Sequence, residues 1–247
     1  MIAELVPGWA RAAEAFTDLP GAAPHPAELR FLPPGAVERR RREFATGRAC
    51  ARRALAALGA PAHGPLPRDE RGAPVWPPGT LGSITHCTGY RAAVAARAGE
   101  ATALGIDAER RPRPLSERAS AAIATDWESD QLAGLQREFV SLLPWSTLLF
   151  SAKEAVYKAW HPHARRPLSF RDAEVRIHPV DKGGGLLAVR PTRLALPELS
   201  GGYRFDGGLL VTVVHRGLTP PVRPAPPRTP SDPRGHRSAG PERAAAR

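Results

Sequence analysis

The sequence predicts an α+β chain, and three observations carry the prediction. Trp145, Leu149, Ala152, Val156 and Trp160 recur at offsets of four, seven, eleven and fifteen, which is one stripe of a helix, widened by Leu148 and Ala159. Val37, Phe44, Ala51, Leu55 and Leu58 trace a second buried helical face. Short apolar runs bounded by glycine turns read as strands, most densely between Ala173 and Val214.

Taken in order, residues 1–36 form a Pro-punctuated lead-in, in which Trp9, Ala12, Ala13 and Phe16 predict one short helix. The helix from Val37 to Leu58 stops at Gly59, with Pro61 just beyond. Residues 61–82 are rich in Pro and Gly and read as extended or looped chain carrying Arg68, Arg71 and a semi-exposed Trp76. The polar string Ser83-Ile84-Thr85-His86 is unpromising as core strand. Arg91–Arg97 and Ala103–Glu109 read as strands separated by the turn Ala98–Gly99–Glu100. Residues 112–143 are mostly helical, with Trp127, Leu132, Leu135, Phe139 and Leu143 as core. Pro144 opens the helix Trp145–Trp160. Strands follow at Ala173–His178, Gly185–Arg190, Tyr203–Phe205 and Leu209–Val214, with Gly183–Gly185 and Gly207–Gly208 as turns.

The formal net charge is +11, yet Lys153, Lys158 and Lys182 are the only lysines. Arginine beside abundant Ala, Pro and Gly has the look of a high-GC coding bias, so the charge is discounted as evidence for nucleic acid. Zinc spacing and aromatic–basic interleaving are both missing from the sequence. Cys50 and Cys87 match no metal spacing and read as reduced thiols of a cytoplasmic protein. The start M-I-A-E-L lacks a basic region followed by an apolar run, and no run approaches the ~18 apolar residues of a membrane span. From Gly217 the chain turns Pro- and Arg-rich, and residues 217–247 are expected to be a disordered tail.

Chemistry is concentrated at a few positions. Off the apolar face of the helix Trp145–Trp160 stand Lys153, Glu154 and Lys158. Glu154 and Lys158, four apart, fit an exposed ion pair, and Ser151-x-x-Glu154 fits a capping box, although the stripe continues upstream of Ser151. Arg41, Arg48 and Arg52 line up on the first helix, as a solvated basic face or as a grip on phosphate. Gly47 favours the grip, because a mid-helix glycine costs about 1 kcal/mol and permits close approach. Asp107 and Glu109 alternate onto one face of a strand end, where two carboxylates can chelate a hard divalent cation or simply be solvated. Ser83 and His86 invite a hydrolase reading, but no G-x-S-x-G elbow surrounds the serine.

These pieces fall into one order. G-I-D-A-E at Gly105–Glu109 is followed some forty residues later by F-S-A-K-E-A-V-Y-K at Phe150–Lys158. This pair resembles the signature of the phosphopantetheinyl transferases. G-R-A-C-A-R at Gly47–Arg52, G-A-P-V-W-P at Gly72–Pro77, G-S-I-T-H-C at Gly82–Cys87 and P-L-S-F-R-D-A-E-V at Pro167–Val175 resemble the larger, monomeric type. Within it they are most similar to the branch serving siderophore and other nonribosomal peptide and polyketide synthases, the enterobactin-synthetase-component kind. The likeness spans Glu38 to Val214.

The resemblance implies two similar α/β halves, residues 1–104 and 105–216, with the active site between them. It also implies transfer of the 4′-phosphopantetheine arm from coenzyme A to a serine of an apo carrier protein, releasing adenosine 3′,5′-bisphosphate. By motif position, Asp107, Glu109 and Glu154 would hold Mg²⁺. Lys158 would contact the pyrophosphate, with Lys153 nearby. Thr85 and His86 match a pair touching the coenzyme A phosphates, and Arg48 and Arg52 match basic positions near the adenosine end. Glu154 is the candidate base for the serine proton.

The chain departs from some relatives at Ala73, where they carry a nucleotide-contacting lysine, and that work is either vacant here or taken by Arg68 or Arg71. Three rivals stand beside this reading: a basic nucleic-acid-binding protein, a metal-dependent phosphohydrolase using Asp107, Glu109 and His86, and the short trimeric holo-acyl-carrier-protein synthase. The last has chains about half this length.

Overall fold

In the computed structural model, which describes residues 1–139, 143–164, 167–192 and 195–218, the first strand is β1 (Arg11–Ala15). The short helix expected around Trp9–Phe16 is therefore replaced by a strand. Few residues are available to nucleate a helix there. The backbone instead adds to the edge of a later strand, Tyr90–Arg97, with Ala13 opposite Ala93. Phe16 packs on Tyr90, and Trp9 on His215.

Helix α1 (Glu38–Ala57) buries Phe44, Ala51 and Leu55 as its periodicity predicts. Val37 is a correction: it is the N-cap in extended conformation and is 67% exposed, one residue short of the helical face. Gly59 ends the helix at φ +68°, which a residue with a Cβ adopts only at a cost.

Strand β2 (Thr80–Cys87) contains the whole Ser83–His86 string, contrary to expectation. Its polar side chains are satisfied across a seam. Ser83 Oγ accepts from the Ile106 N–H, and Thr85 Oγ1 donates to Asp107 at 3.4 Å. β2 and β1 flank β3 (Tyr90–Arg97) in a three-stranded antiparallel sheet. The next strand, β4 (Ala101–Arg110), leaves that sheet for another.

Two helices follow, α2 (Glu117–Ile123), capped by Ser116, and α3 (Asp126–Glu138), with a capping box between Thr125 and Glu128. Leu135 and Leu143 are buried, and Leu132 and Phe139 pack against them. Trp127 lies outside this core, its ring covered by the Arg176 guanidinium. Helix α4 (Trp145–Trp160) buries its entire predicted stripe. The strands β5 (Ala173–Pro179), β6 (Gly184–Pro191), β7 (Leu199–Asp206) and β8 (Leu209–Gly217) complete a five-stranded antiparallel sheet in the order β4-β8-β7-β6-β5. The sequence tail beyond Leu218 lies outside the described residues.

Each half thus has one long helix on one sheet. Ala93 and Ala95 of β3 face α1, while Ala92, Val94 and Ala96 face the other way, as strand alternation requires. There they meet Ile106, Leu209, Val211 and Val213 from β4 and β8 in a shared apolar layer. Leu210 and Val214 of β8 face α4. This double layer fixes α1 and α4 relative to each other, and the cleft lies between them.

Candidate active site

Helix α4 meets β4 at Gly105. A Cβ there would run into the carbonyl oxygen of Ala155 and the backbone nitrogen and Cβ of Ala159. Only a bare α-carbon lets the helix sit this close. The approach allows Lys158 Nζ to donate to the Ile106 carbonyl at 3.0 Å and to Asp107 Oδ1 at 2.7 Å. The pair Glu154–Lys158 expected along the helix is not what forms, because Asp107 is the partner of Lys158.

Asp107 is buried and also accepts from Ser151 Oγ at 2.9 Å. Ser151 is thus spent on Asp107 and Thr212, and it caps no helix. Glu109 and Glu154 are half-buried, and neither makes a side-chain hydrogen bond or ion pair among the described residues. Burial raises the pKa of both, and the Asp107 carboxylate raises them further, against the pull of Lys158. Among the described residues, no three His, Cys, Asp or Glu side chains stand close enough to hold a metal ion as placed.

The opposite wall is basic. The Arg48 and Arg68 guanidinium groups both lie over the Phe44 ring, at 5.0 and 5.6 Å from its centroid. Arg48 is only 3% exposed, and its Nη1 has no hydrogen-bond partner among the described residues. Burial, with help from Arg68 and Arg52, lowers its pKa to about 10. Burial and Arg40 likewise lower that of Arg68. Gathering guanidinium groups around one space opposes folding unless an anion enters. Arg40 completes the cradle, its Nη1 2.6 Å from His86 Nε2. Between the walls is a cavity of about 790 Å³, lined by Arg40, Arg48, Arg68, His86, Glu154 and Lys158 among others.

The predicted residues therefore divide. Arg48, Arg68, Arg71, His86, Glu154 and Lys158 line the cavity, with Asp107 joined to it through Lys158. Thr85 is buried with its hydroxyl turned to Asp107, so it braces the acid. Arg52 faces away: both oxygens of the buried Glu28 take its Nη2 at 2.7 Å. Lys153 also faces away, its Nζ bonded to Glu128 and to the carbonyls of Ile123, Phe170 and Ala173. Arg40 was missed. The sequence placed Arg41 in line with Arg48, but Arg41 bonds the Ala36 carbonyl while its neighbour Arg40 lines the cleft.

Fold and site define a class first: an α+β protein in which each of two sheets carries one long helix, with a cavity between a basic wall and a wall that bears Glu154 and Lys158. The family follows from comparison. Residues 28–96 match the 4′-phosphopantetheinyl transferase N-terminal domain, and residues 103–197 match the 4′-phosphopantetheinyl transferase superfamily. The chain is 43% identical over 229 residues to the 4′-phosphopantetheinyl transferase Svp of Streptomyces mobaraensis, covering 87% of this chain and 88% of that one. It is 37% identical over 214 residues to the 4′-phosphopantetheinyl transferase PptT of Mycobacterium tuberculosis, covering 82% and 90%. It is 36% identical over 159 residues to enterobactin synthase component D of Salmonella typhimurium, covering 62% and 59%. The chain belongs to the 4′-phosphopantetheinyl transferase superfamily. The enterobactin-type likeness seen in the motifs is present, over a shorter stretch than the likeness to the Streptomyces and Mycobacterium enzymes.

Proposed function

We propose that this protein transfers the 4′-phosphopantetheine group of coenzyme A to a serine of an apo carrier protein, leaving adenosine 3′,5′-bisphosphate. The observation that carries it is the pairing of the buried Arg48 guanidinium, whose Nη1 has no hydrogen-bond partner among the described residues, with the Lys158–Asp107 contact across one cavity. A ligand with several phosphates, at both ends of a nucleoside, satisfies both walls at once.

In this reading Arg40, Arg48, Arg68 and His86 hold one phosphate and fix the register of the ligand. Lys158 moves its ammonium from Asp107 to the pyrophosphate, where negative charge grows in the transition state. The serine oxygen attacks the β-phosphorus, the bond from that phosphorus to the bridging oxygen breaks, and the charge departs on the nucleotide. Glu154, half-buried and without a side-chain partner among the described residues, accepts the serine proton. By chemistry the donors suit a hard divalent cation, since Asp107, Glu109 and Glu154 offer oxygen alone and the two glutamates have no side-chain partner among the described residues; as placed they would have to draw together to hold it. Mg²⁺ held there would supply Lewis-acid stabilisation of the pyrophosphate.

A small groove beside Glu154, lined by Val156, Trp160, Leu168 and Phe170 among others, would receive the thin pantetheine arm, its apolar side chains meeting the gem-dimethyl and methylene groups. Among the described residues no helix is long and apolar enough to cross a membrane. We place the enzyme in the cytoplasm, as a monomer whose net positive charge favours an acidic carrier.

The test is intact-mass spectrometry of an apo carrier protein incubated with this enzyme, coenzyme A and Mg²⁺, with an EDTA control. A gain of one phosphopantetheine, lost with EDTA, is the expected result. An unmodified carrier in the presence of folded enzyme, across peptidyl and acyl carriers, would remove the reading.

A further inference from the structure

On the reading that the arginine cradle receives a phosphate of coenzyme A, we propose that His86 is neutral in the free enzyme and takes up a proton as that phosphate arrives, so that coenzyme A and a proton bind together.

The geometry sets the starting state. Arg40 Nη1 lies 2.6 Å from His86 Nε2. A guanidinium has donors and no acceptor, so Nε2 must present its lone pair. The ring proton is then on Nδ1, and an imidazolium is incompatible with the contact. The surroundings agree. From α1 come Arg40, Glu43 and Arg48, from α4 Glu154 and Lys158, and from the loop before β2 Arg68. Arg91, opposite His86 on β3, is held by Asp18 at 2.8 Å and Glu43 at 3.5 Å. Asp107 on β4 is engaged by Lys158. Glu43 is the acid that favours the charged ring, and it is shared with Arg39, Arg40 and Arg91. The protein packed around the ring is the largest influence, and Arg40 and Lys158 add to it. Together they outweigh Glu43 and a backbone hydrogen bond, and hold the imidazole below its ordinary value of 6.5.

A phosphate dianion reverses this balance. It attracts Arg40 away from Nε2 and turns a positive local potential negative, so the vacated nitrogen takes a proton from solvent and becomes a second donor to the phosphate. A pKa raised by binding makes binding tightest below the free-state value, and the advantage disappears as pH rises through the bound-state value. A shift of one unit corresponds to about tenfold in affinity.

Calorimetry of coenzyme A binding in two buffers of different ionisation enthalpy, at several pH values from 6 to 8.5, counts the protons. His86→Gln is the comparison. The ligand's own phosphate also titrates, with the opposite sign, but identically for both proteins, so their difference isolates His86. Wild type is expected to take up a larger fraction of a proton and to lose up to about tenfold more affinity across the range. The ¹⁵N shifts of the His86 ring provide a variant-independent reading: a lone-pair nitrogen at Nε2 when free, an imidazolium when bound. Equal proton counts and pH slopes, or a ring that stays neutral in the complex, would overturn the proposal while leaving the transferase reading intact. Absence of coenzyme A binding by folded wild type would remove both.

Discussion

Lys158 Nζ sits 2.7 Å from Asp107 Oδ1, so the helix that carries the cationic group is latched onto the strand that carries the acid. The latch makes the three acids unequal. Glu109 and Glu154 have no side-chain partner among the described residues, whereas Asp107 is also bonded to Ser151 and Thr85. Glu154→Gln and Glu109→Gln should therefore lose carrier modification by at least about a hundredfold, the scale of a lost transition-state contact, with an unchanged melting temperature. Asp107→Ala should lose both activity and about 1–3 kcal/mol of stability, because its buried partners are left without it. Mass spectrometry and thermal melts on the three variants check this.

Lys153 should behave as a structural residue. Its side chain is 1% exposed against 0% for Glu128, with three backbone carbonyls completing its bonds. Lys153→Ala strands a buried carboxylate, and a loss of about 3–5 kcal/mol is expected in urea unfolding. Coenzyme A affinity of the folded fraction should not change.

Arg48 and Arg52, one helical turn apart, should separate cleanly. Arg48→Ala is expected to weaken coenzyme A binding about 10- to 100-fold, the worth of a charge-assisted hydrogen bond. Arg52→Ala should leave that affinity alone and destabilise the fold, because Glu28 loses its guanidinium. Calorimetry and melts on the pair distinguish the roles.

Glu28 also sets an acid limit. Burial works against its ionisation, but Arg52 and the N–H groups of Leu66 and His25 outweigh it and hold its pKa below the ordinary 4.5. A depressed carboxylate contributes stability above the unfolded-state value and loses it as pH falls through the folded one. Stability should thus decline on acidification below about pH 4.5, and less steeply in Arg52→Ala, as followed by urea midpoints across the pH series.

Gly105→Ala should push α4 off β4. An overpacked contact costs about 1–3 kcal/mol, and displacement of Lys158 and Glu154 should reduce turnover more than coenzyme A affinity. The ratio of the two effects is the readout. Equal losses would mean that the glycine serves packing alone.

Much of this was legible in the chain. The α4 stripe, the α1 face from Phe44 to Leu55 and the four closing strands follow from periodicity, because a segment that buries one face writes its own period into the sequence. The motif order marked Asp107, Glu109, Glu154 and Lys158, which a single helix or strand end suffices to present. Strand β1 and the polar strand β2 were not legible. β1 is stabilised by pairing with β3, and β2 by bonds from Ser83 and Thr85 to a strand some twenty residues away.

Local pattern alone determined the two long helices, the closing strands and their turns, and which side chains have the chemistry for phosphate and cation. The tertiary structure decided which of those charges are free to act. Arg48 and Arg52, or Lys153 and Lys158, are neighbours of like type on one helix, and only the partner across the packed interface separates them. Glu28 and Glu128 claim one of each pair for the fold, while Arg48 and Lys158 are left facing the cleft. A side chain's charge is intrinsic to the residue, but its availability depends on which distant group folding brings beside it.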